Sequence, residues 1–148
     1  MNESDVRKIR WGDIYYCDLG AGKGSVQSKM RPVLIIQNDT GNDNSPTTVV
    51  AAISSVLKKM YLPTHIVLDR TTGLKEKSIV MLEQVRTIDI RTELKEYVGK
   101  VHDQQTIQAI KRGISIEMGV VELAPMGKKK HYISSRSGKV PSINQRTT

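Results

Sequence analysis

Two wholly apolar runs, Val33-Leu34-Ile35-Ile36 and Val49-Val50-Ala51-Ala52-Ile53, constrain the fold of this chain more than any other feature. Both are short, rich in β-branched residues and bounded by polar or turn-forming residues, which makes them strand candidates. Arg31 opens the first run and Ser54 closes the second. If the two strands are adjacent and antiparallel, joined by the polar segment between them, the start of one lies beside the end of the other. A guanidinium and a hydroxyl, both able to take part in phosphate chemistry, would then share one site.

The remaining organisation follows from punctuation and period. At 148 residues the chain is long enough for one domain with a proper core and too short to favour two. Residues 1–8 read as a polar leader, and Ile9 to Gly20 (IRWGDIYYCDLG) as a first strand rich in aromatic and β-branched residues. The glycine- and serine-rich segment AGKGSVQSK that follows reads as an exposed, mobile loop, a lid leading straight to Arg31. Pro63 to Asp69 gives a fourth strand, Ser78 to Val85 a fifth, and Val98 to Val101 a short one. Asp103 caps a helix whose apolar stripe is Ile107, Ile110, Ile114, Met118 and Val121, weakened by Gly113 and Gly119 and ended by Pro125. The expectation is a mainly β protein with α (α+β): a small, strongly twisted antiparallel sheet or part-closed barrel with one long C-terminal helix.

Composition narrows the function classes. The single cysteine, Cys17, excludes an internal disulfide, and no metal-ligand spacing surrounds it. The first ten residues offer no apolar stretch for a secretory signal and no run approaches membrane-spanning length, so a cytoplasmic protein without a membrane partner is expected. The net charge of +8 is less telling than its distribution. Residues 125–148 carry six basic groups and no acidic one, leaving 17 basic and 15 acidic groups on the other 124 residues. A basic binding surface on the body therefore requires local clustering.

The ordered blocks WGDIYYCDL, GSVQSKMRPVLIIQNDTGN, SPTTVVAAIS, LPTHIVLD and IVMLEQVRTID resemble the MazF/PemK family of toxin endoribonucleases, in the form found in Gram-positive bacteria. The resemblance covers about Ile9 to Glu122, within an expected domain of residues 9–124. It implies an SH3-like barrel, a homodimer, and metal-independent cleavage of single-stranded RNA such as mRNA at short sequences, without cofactors. It also implies a MazE-like antitoxin partner whose disordered tail occupies the RNA groove, with DNA reached only through that antitoxin.

Cleavage of this kind uses the neighbouring 2′-OH as nucleophile and leaves a 2′,3′-cyclic phosphate and a 5′-OH. The enzyme assists two proton transfers and stabilises the charge of the phosphorane. The resemblance assigns catalysis to Arg31, whose planar fork can hold two phosphate oxygens, and to Ser54, at a position where Gram-positive members usually carry threonine. An arginine at a sheet end is otherwise an ordinary surface ion pair, and Ser55 stands beside Ser54 with the same hydroxyl. The resemblance implies substrate contacts at Ser25, Gln27, Thr64, His65, Glu83 and Gln84, and Lys29, where the family usually has a small residue, adds a positive charge near the phosphate path. His65 reads as an RNA contact in preference to a general base, because no partner carboxylate lies near it in sequence. Val26 departs from the family, where Gly-Ser-Glu-Gln is common, and removes a carboxylate from the edge of the site. Trp11, Tyr15 and Tyr16 read as core or dimer residues.

Two other functions compete. A gyrase-binding poison such as CcdB, similar in fold to this family, acts through a tryptophan and its extreme C-terminus, whereas this chain ends Gln145-Arg146-Thr147-Thr148 and has its only tryptophan at Trp11. A non-catalytic member binding RNA or antitoxin is the third reading, kept open by Val26. The basic segment beyond Ala124, expected to be disordered, gives a first prediction. If its six cations bind RNA backbone, removing residues 125–148 flattens the salt dependence of cleavage; equal rates at every salt concentration would rule that role out.

Overall fold

The computed structural model describes residues 8–20 and 30–122. The strands are β1 (Asp13–Asp18), β2 (Met30–Ile35), β3 (Thr47–Ser54), β4 (His65–Leu68), β5 (Ser78–Asp89) and β6 (Leu94–Lys100). A short helix α1 (Asp39–Asn44) lies between β2 and β3, a 3-10 turn (Arg70–Thr72) follows β4, and α2 (Gln104–Glu117) follows β6. The strands form one sheet in the order β4-β5-β3-β2-β1-β6, antiparallel at every pairing. This is the expected α+β class, and no ladder joins β4 to β6, so the sheet is open.

The open ends nevertheless approach each other. Gly73, at φ +104° after the 3-10 turn, and Gly99 on β6 cross with backbones so close that a Cβ on Gly99 would lie 1.8 Å from the Thr72 carbonyl oxygen. Only hydrogen side chains fit there, so the sheet curls to a near-barrel without hydrogen-bonded closure.

Each apolar run fills both faces of the sheet. Ile14, Leu34, Ala51, Ile53, Val80 and Leu82 point to the side where Ile110 of α2 completes the core. Tyr15, Cys17, Val33, Ile35, Val50 and Ile88 point to the other side, covered at one end by Ile9, Leu19, Ile90 and Leu94. The β2–β3 connection, expected as a polar loop, is fixed by a polar network around α1. Asn38 Oδ1 caps α1 by accepting from Gly41 N at 2.7 Å, and buried Asn42 donates to Gln37 O at 3.0 Å while its Oδ1 accepts from Thr48 Oγ1 at 2.7 Å.

Helix α2 starts as expected, with an Asp103 carboxylate oxygen accepting from Thr106 N at 2.9 Å. Its end differs. Gly119 adopts φ +77° and Val120 N donates back to Ser115 O at 2.8 Å, which stops the helix before Pro125. Met118 is thereby turned out to solvent, and Ile116 takes the buried position. Gly113 is a packing residue: a Cβ there would lie 2.5 Å from Leu82 Cδ1 and 2.9 Å from Pro63 O. Gly113→Ala, which would add about 1 kcal/mol of helix propensity at an exposed site, is therefore expected to lower the melting temperature. A rise would show that α2 can shift off β5 freely.

Candidate active site

The β2–β3 ladder pairs Val33 with Ala52, Leu34 with Ala51 and Ile35 with Val50. That register, continued past Pro32, brings Arg31 opposite Ser54 at the end of the sheet away from α1. On the face covered by Ile9 and Leu94, the apolar row thus gives way to polar groups: Val33 to Arg31, Ala52 to Ser54, and, two residues before Ile88 on β5, Arg86. A cleft of about 470 Å³ opens there, lined by Arg31, Ser54, Gln84, Arg86, Lys58 and Met81 among others.

A second depression of about 300 Å³ shares Arg31, Ser54 and Val56 with the first and continues onto Tyr16, Ser55, Lys75, Glu76 and Ser78. Arg31 and Ser54 therefore stand on the rim between two adjoining hollows. Among the described residues, the first hollow is lined by three cations and no carboxylate, and Glu76 is the one carboxylate in the second. This is the local clustering that the nearly neutral body required.

The two central side chains are ready for an anion. Among the described residues, Arg31 enters no ion pair. Ser54 Oγ accepts from Val56 N at 3.0 Å, so one lone pair is occupied and the hydroxyl proton stays available to a phosphate oxygen. Ser55 lines only the second hollow. Replacing Ser54 by Ala removes that donor, worth about 1.5–3 kcal/mol when the acceptor is charged. The kcat of S54A is expected to fall about tenfold to a hundredfold, with Ser54→Thr close to the unaltered protein; full activity in S54A would remove the hydroxyl from the reaction.

Glu83 and Gln84 owe their position to a break in the ladder. Ala51 pairs with Val85 but Ala52 pairs with Met81, which leaves Leu82, Glu83 and Gln84 without partners on β3. Leu82 N donates instead to Thr64 O at 2.8 Å. The bulge turns β5 from a wholly buried strand into one that exposes Glu83, Gln84, Arg86 and Thr87. Gln84 reaches the cleft, whereas Glu83 faces His65.

His65 is almost fully buried, and the carboxylate that its sequence neighbourhood lacked comes from β5: Nε2 lies 2.7 Å from Glu83 Oε2, and Nδ1 2.9 Å from the Lys58 carbonyl oxygen. Burial pushes the Glu83 carboxyl up, but hydrogen bonds from His65, its own backbone N–H and Thr64, with the charge of His65, leave it below the usual carboxylate range. Thr64 serves this bulge through its carbonyl and its hydroxyl.

Ser25, Val26, Gln27 and Lys29, with the expected lid, lie outside the described residues. Tyr15 is buried, while Tyr16 lines the second hollow. Burial, aided by the Glu93 charge, pushes the Cys17 thiol up to about 11, which keeps it protonated. No cluster of three or more His, Cys, Asp or Glu among the described residues is arranged to hold a metal ion. Sequence reading missed Lys58 and Arg86. Arg86 alternates with Gln84 along β5, which runs on to Asp89 past the expected end at Val85; Lys58 sits in a segment without periodicity.

Residues 10–117 match the family model described as PemK-like, MazF-like toxin of type II toxin-antitoxin system. Endoribonuclease MazF of Staphylococcus saprophyticus is 41% identical over 113 residues, 76% of this chain and 92% of that protein. Endoribonuclease EndoA of Bacillus subtilis is 37% identical over 115 residues, 77% and 97% of the respective chains. Among solved structures, a mycobacterial endoribonuclease in complex with its cognate antitoxin superposes with a TM-score of 0.63 at 23% identity, covering 76% of this chain and 96% of that one.

Proposed function

This chain belongs to the PemK/MazF family of type II toxin–antitoxin toxins, and from that premise we propose that Arg31 and Ser54 form the reaction centre of its endoribonuclease activity. The observation that carries the assignment is the rim between two hollows, where both side chains meet on adjacent strand ends. An RNA strand crossing that rim puts one phosphate against Arg31 and its neighbouring nucleotides in the hollows on either side. Gln84 faces the nucleotide in the first hollow, and Tyr16, Lys75, Glu76 and Ser78 face the one in the second.

The reaction is a transesterification within the strand. The 2′-OH attacks the adjacent phosphorus, the bond to the 5′ oxygen of the next nucleotide breaks, and a 2′,3′-cyclic phosphate and a 5′-OH result. Negative charge grows on the non-bridging oxygens, where the Arg31 fork and the Ser54 hydroxyl donate to it. Lys58 and Arg86 hold flanking phosphates and Gln84 reads base edges, with Glu83, His65 and Thr64 completing that wall of the substrate groove. Ser25, Gln27 and Lys29 extend the substrate contacts in this reading.

The biological unit proposed is a cytoplasmic homodimer held in check by a MazE-like antitoxin, with residues 9–124 as the toxin domain, 1–8 as leader and 125–148 as a basic tail. The antitoxin-bound mycobacterial structure supports that partner. No helix of the described residues is long and apolar enough to cross a membrane. The test is to incubate purified protein with a long single-stranded RNA in EDTA and map the 5′ ends of the products. Cuts recurring at one short motif with 5′-OH ends are expected. Intact RNA at high enzyme concentration would defeat the reading.

A further inference from the structure

We propose that His65 is a positioning residue for the RNA cleft, tying the Glu83 bulge of β5 to the loop that carries Lys58. This rests on the cleft reading above and adds to it a residue that acts through others. The side chain of His65 is 3% exposed and both ring nitrogens are engaged, at 2.7 Å by the Glu83 carboxylate and at 2.9 Å by the Lys58 carbonyl. Both partners are acceptors. One ring nitrogen faces each acceptor, and no other side chain presents two opposed nitrogen atoms from a single ring.

What the bond to Lys58 does is visible in the next residue. Lys59 has φ +46°, in the left-handed region that disfavours a side chain with a Cβ and persists only where its surroundings enforce it. The hydrogen bonds Leu62 N to Lys59 O at 3.0 Å and His65 N to Leu62 O at 3.1 Å continue the same turn. His65 thus fixes a strained loop from below while Lys58, on its outer side, lines the cleft with Gln84 and Arg86. The ring faces the Glu83 carboxylate from β5 and the Lys58 backbone carbonyl from the loop. One imidazole thus ties the bulge that presents Gln84 to the cleft to the loop that presents Lys58 to it.

The test uses the full chain and a 2′-O-methyl RNA oligonucleotide, which binds but lacks the nucleophile. Its Kd is measured by fluorescence anisotropy over a salt series, with a melting curve for each variant. H65Q, whose amide donates in one direction only, is expected to raise Kd about fivefold and to reduce the slope of log Kd against log salt by about 0.7, one phosphate contact on a single strand. K58Q should do the same, and the double variant should be no worse than either. Effects that multiply, or a full salt slope in H65Q, overturn the proposal. If H65Q has no melting transition, E83Q carries the test: loss of its own negative charge steepens the slope, so a shallower slope, absent in the K58Q background, reports the loop. A protein that binds the methylated strand but cleaves no ordinary RNA defeats the cleavage reading and leaves this test standing. Normal cleavage beside a full slope in H65Q defeats the His65 proposal alone.

Discussion

Arg31→Lys is expected to lower kcat for RNA cleavage by about 10²–10³-fold, the cost of losing one preorganised donor to a developing oxyanion, and Arg31→Ala by more. Lysine keeps the charge and most of the length. What it loses is the planar fork that holds two non-bridging oxygens at once, and a single ammonium must choose between them as the phosphorane forms. The loss should fall on kcat with KM changed only a few-fold, since Lys58 and Arg86 line the same cleft and in the proposed site would still hold the strand. Folding should be untouched, because among the described residues Arg31 enters no ion pair that its removal would strand. Single-turnover rates beside melting curves give the answer. An R31A protein that cuts within a few-fold of the unaltered one would move the reaction centre elsewhere.

The adjacency of Arg31 and Ser54 could be read from sequence because strand pairing is a simple rule. Two apolar runs with polar ends, joined by one polar segment, leave few ways to pair, and the antiparallel one is what forms. The Asp103 cap and the strands around Tyr15, Ile66 and Val80 were legible for the same reason: each is a local pattern with one physical meaning. Legibility stopped where position depends on a departure from pattern. The bulge at Leu82 to Gln84 has no local signature, since LEQ would sit equally well in a regular strand, yet it decides that Gln84 faces the cleft and Glu83 faces His65. The contact between His65 and Glu83 joins residues on two strands, and only the ladder brings them together. Lys58 reaches the cleft from a loop whose course is set by a buried ring and a left-handed residue, neither visible in composition. Gly113 and Gly119 look alike in sequence as helix weakeners; one is a packing contact and the other a terminator.

Gly99→Ala should destabilise the fold by about 3 kcal/mol or more, the upper end of overpacking costs. The added Cβ would lie 1.8 Å from the Thr72 carbonyl oxygen, 2.8 Å from its carbon and 3.1 Å from Gly73 Cα. All three are backbone atoms, so no side chain can rotate away and the sheet itself must open. Against a total stability of about 5–15 kcal/mol, a loss of this size lowers the melting temperature by roughly 10 °C. Gly73→Ala should cost as much by another route, since its φ of +104° is strained for any Cβ and the Val98 carbonyl oxygen lies 2.4 Å away. Because both glycines serve one crossing, the double variant should lose less than the sum of the two. The crossing also holds Leu74, Lys75 and Glu76, which line the second hollow, one to three residues beyond Gly73. Below its melting temperature, the G99A protein should therefore bind RNA more weakly while Arg31 and Ser54, on β2 and β3, keep their register. A melting temperature unchanged in G99A would mean that the sheet ends are not held together at this point, and that its curl comes from the β5 bulge alone.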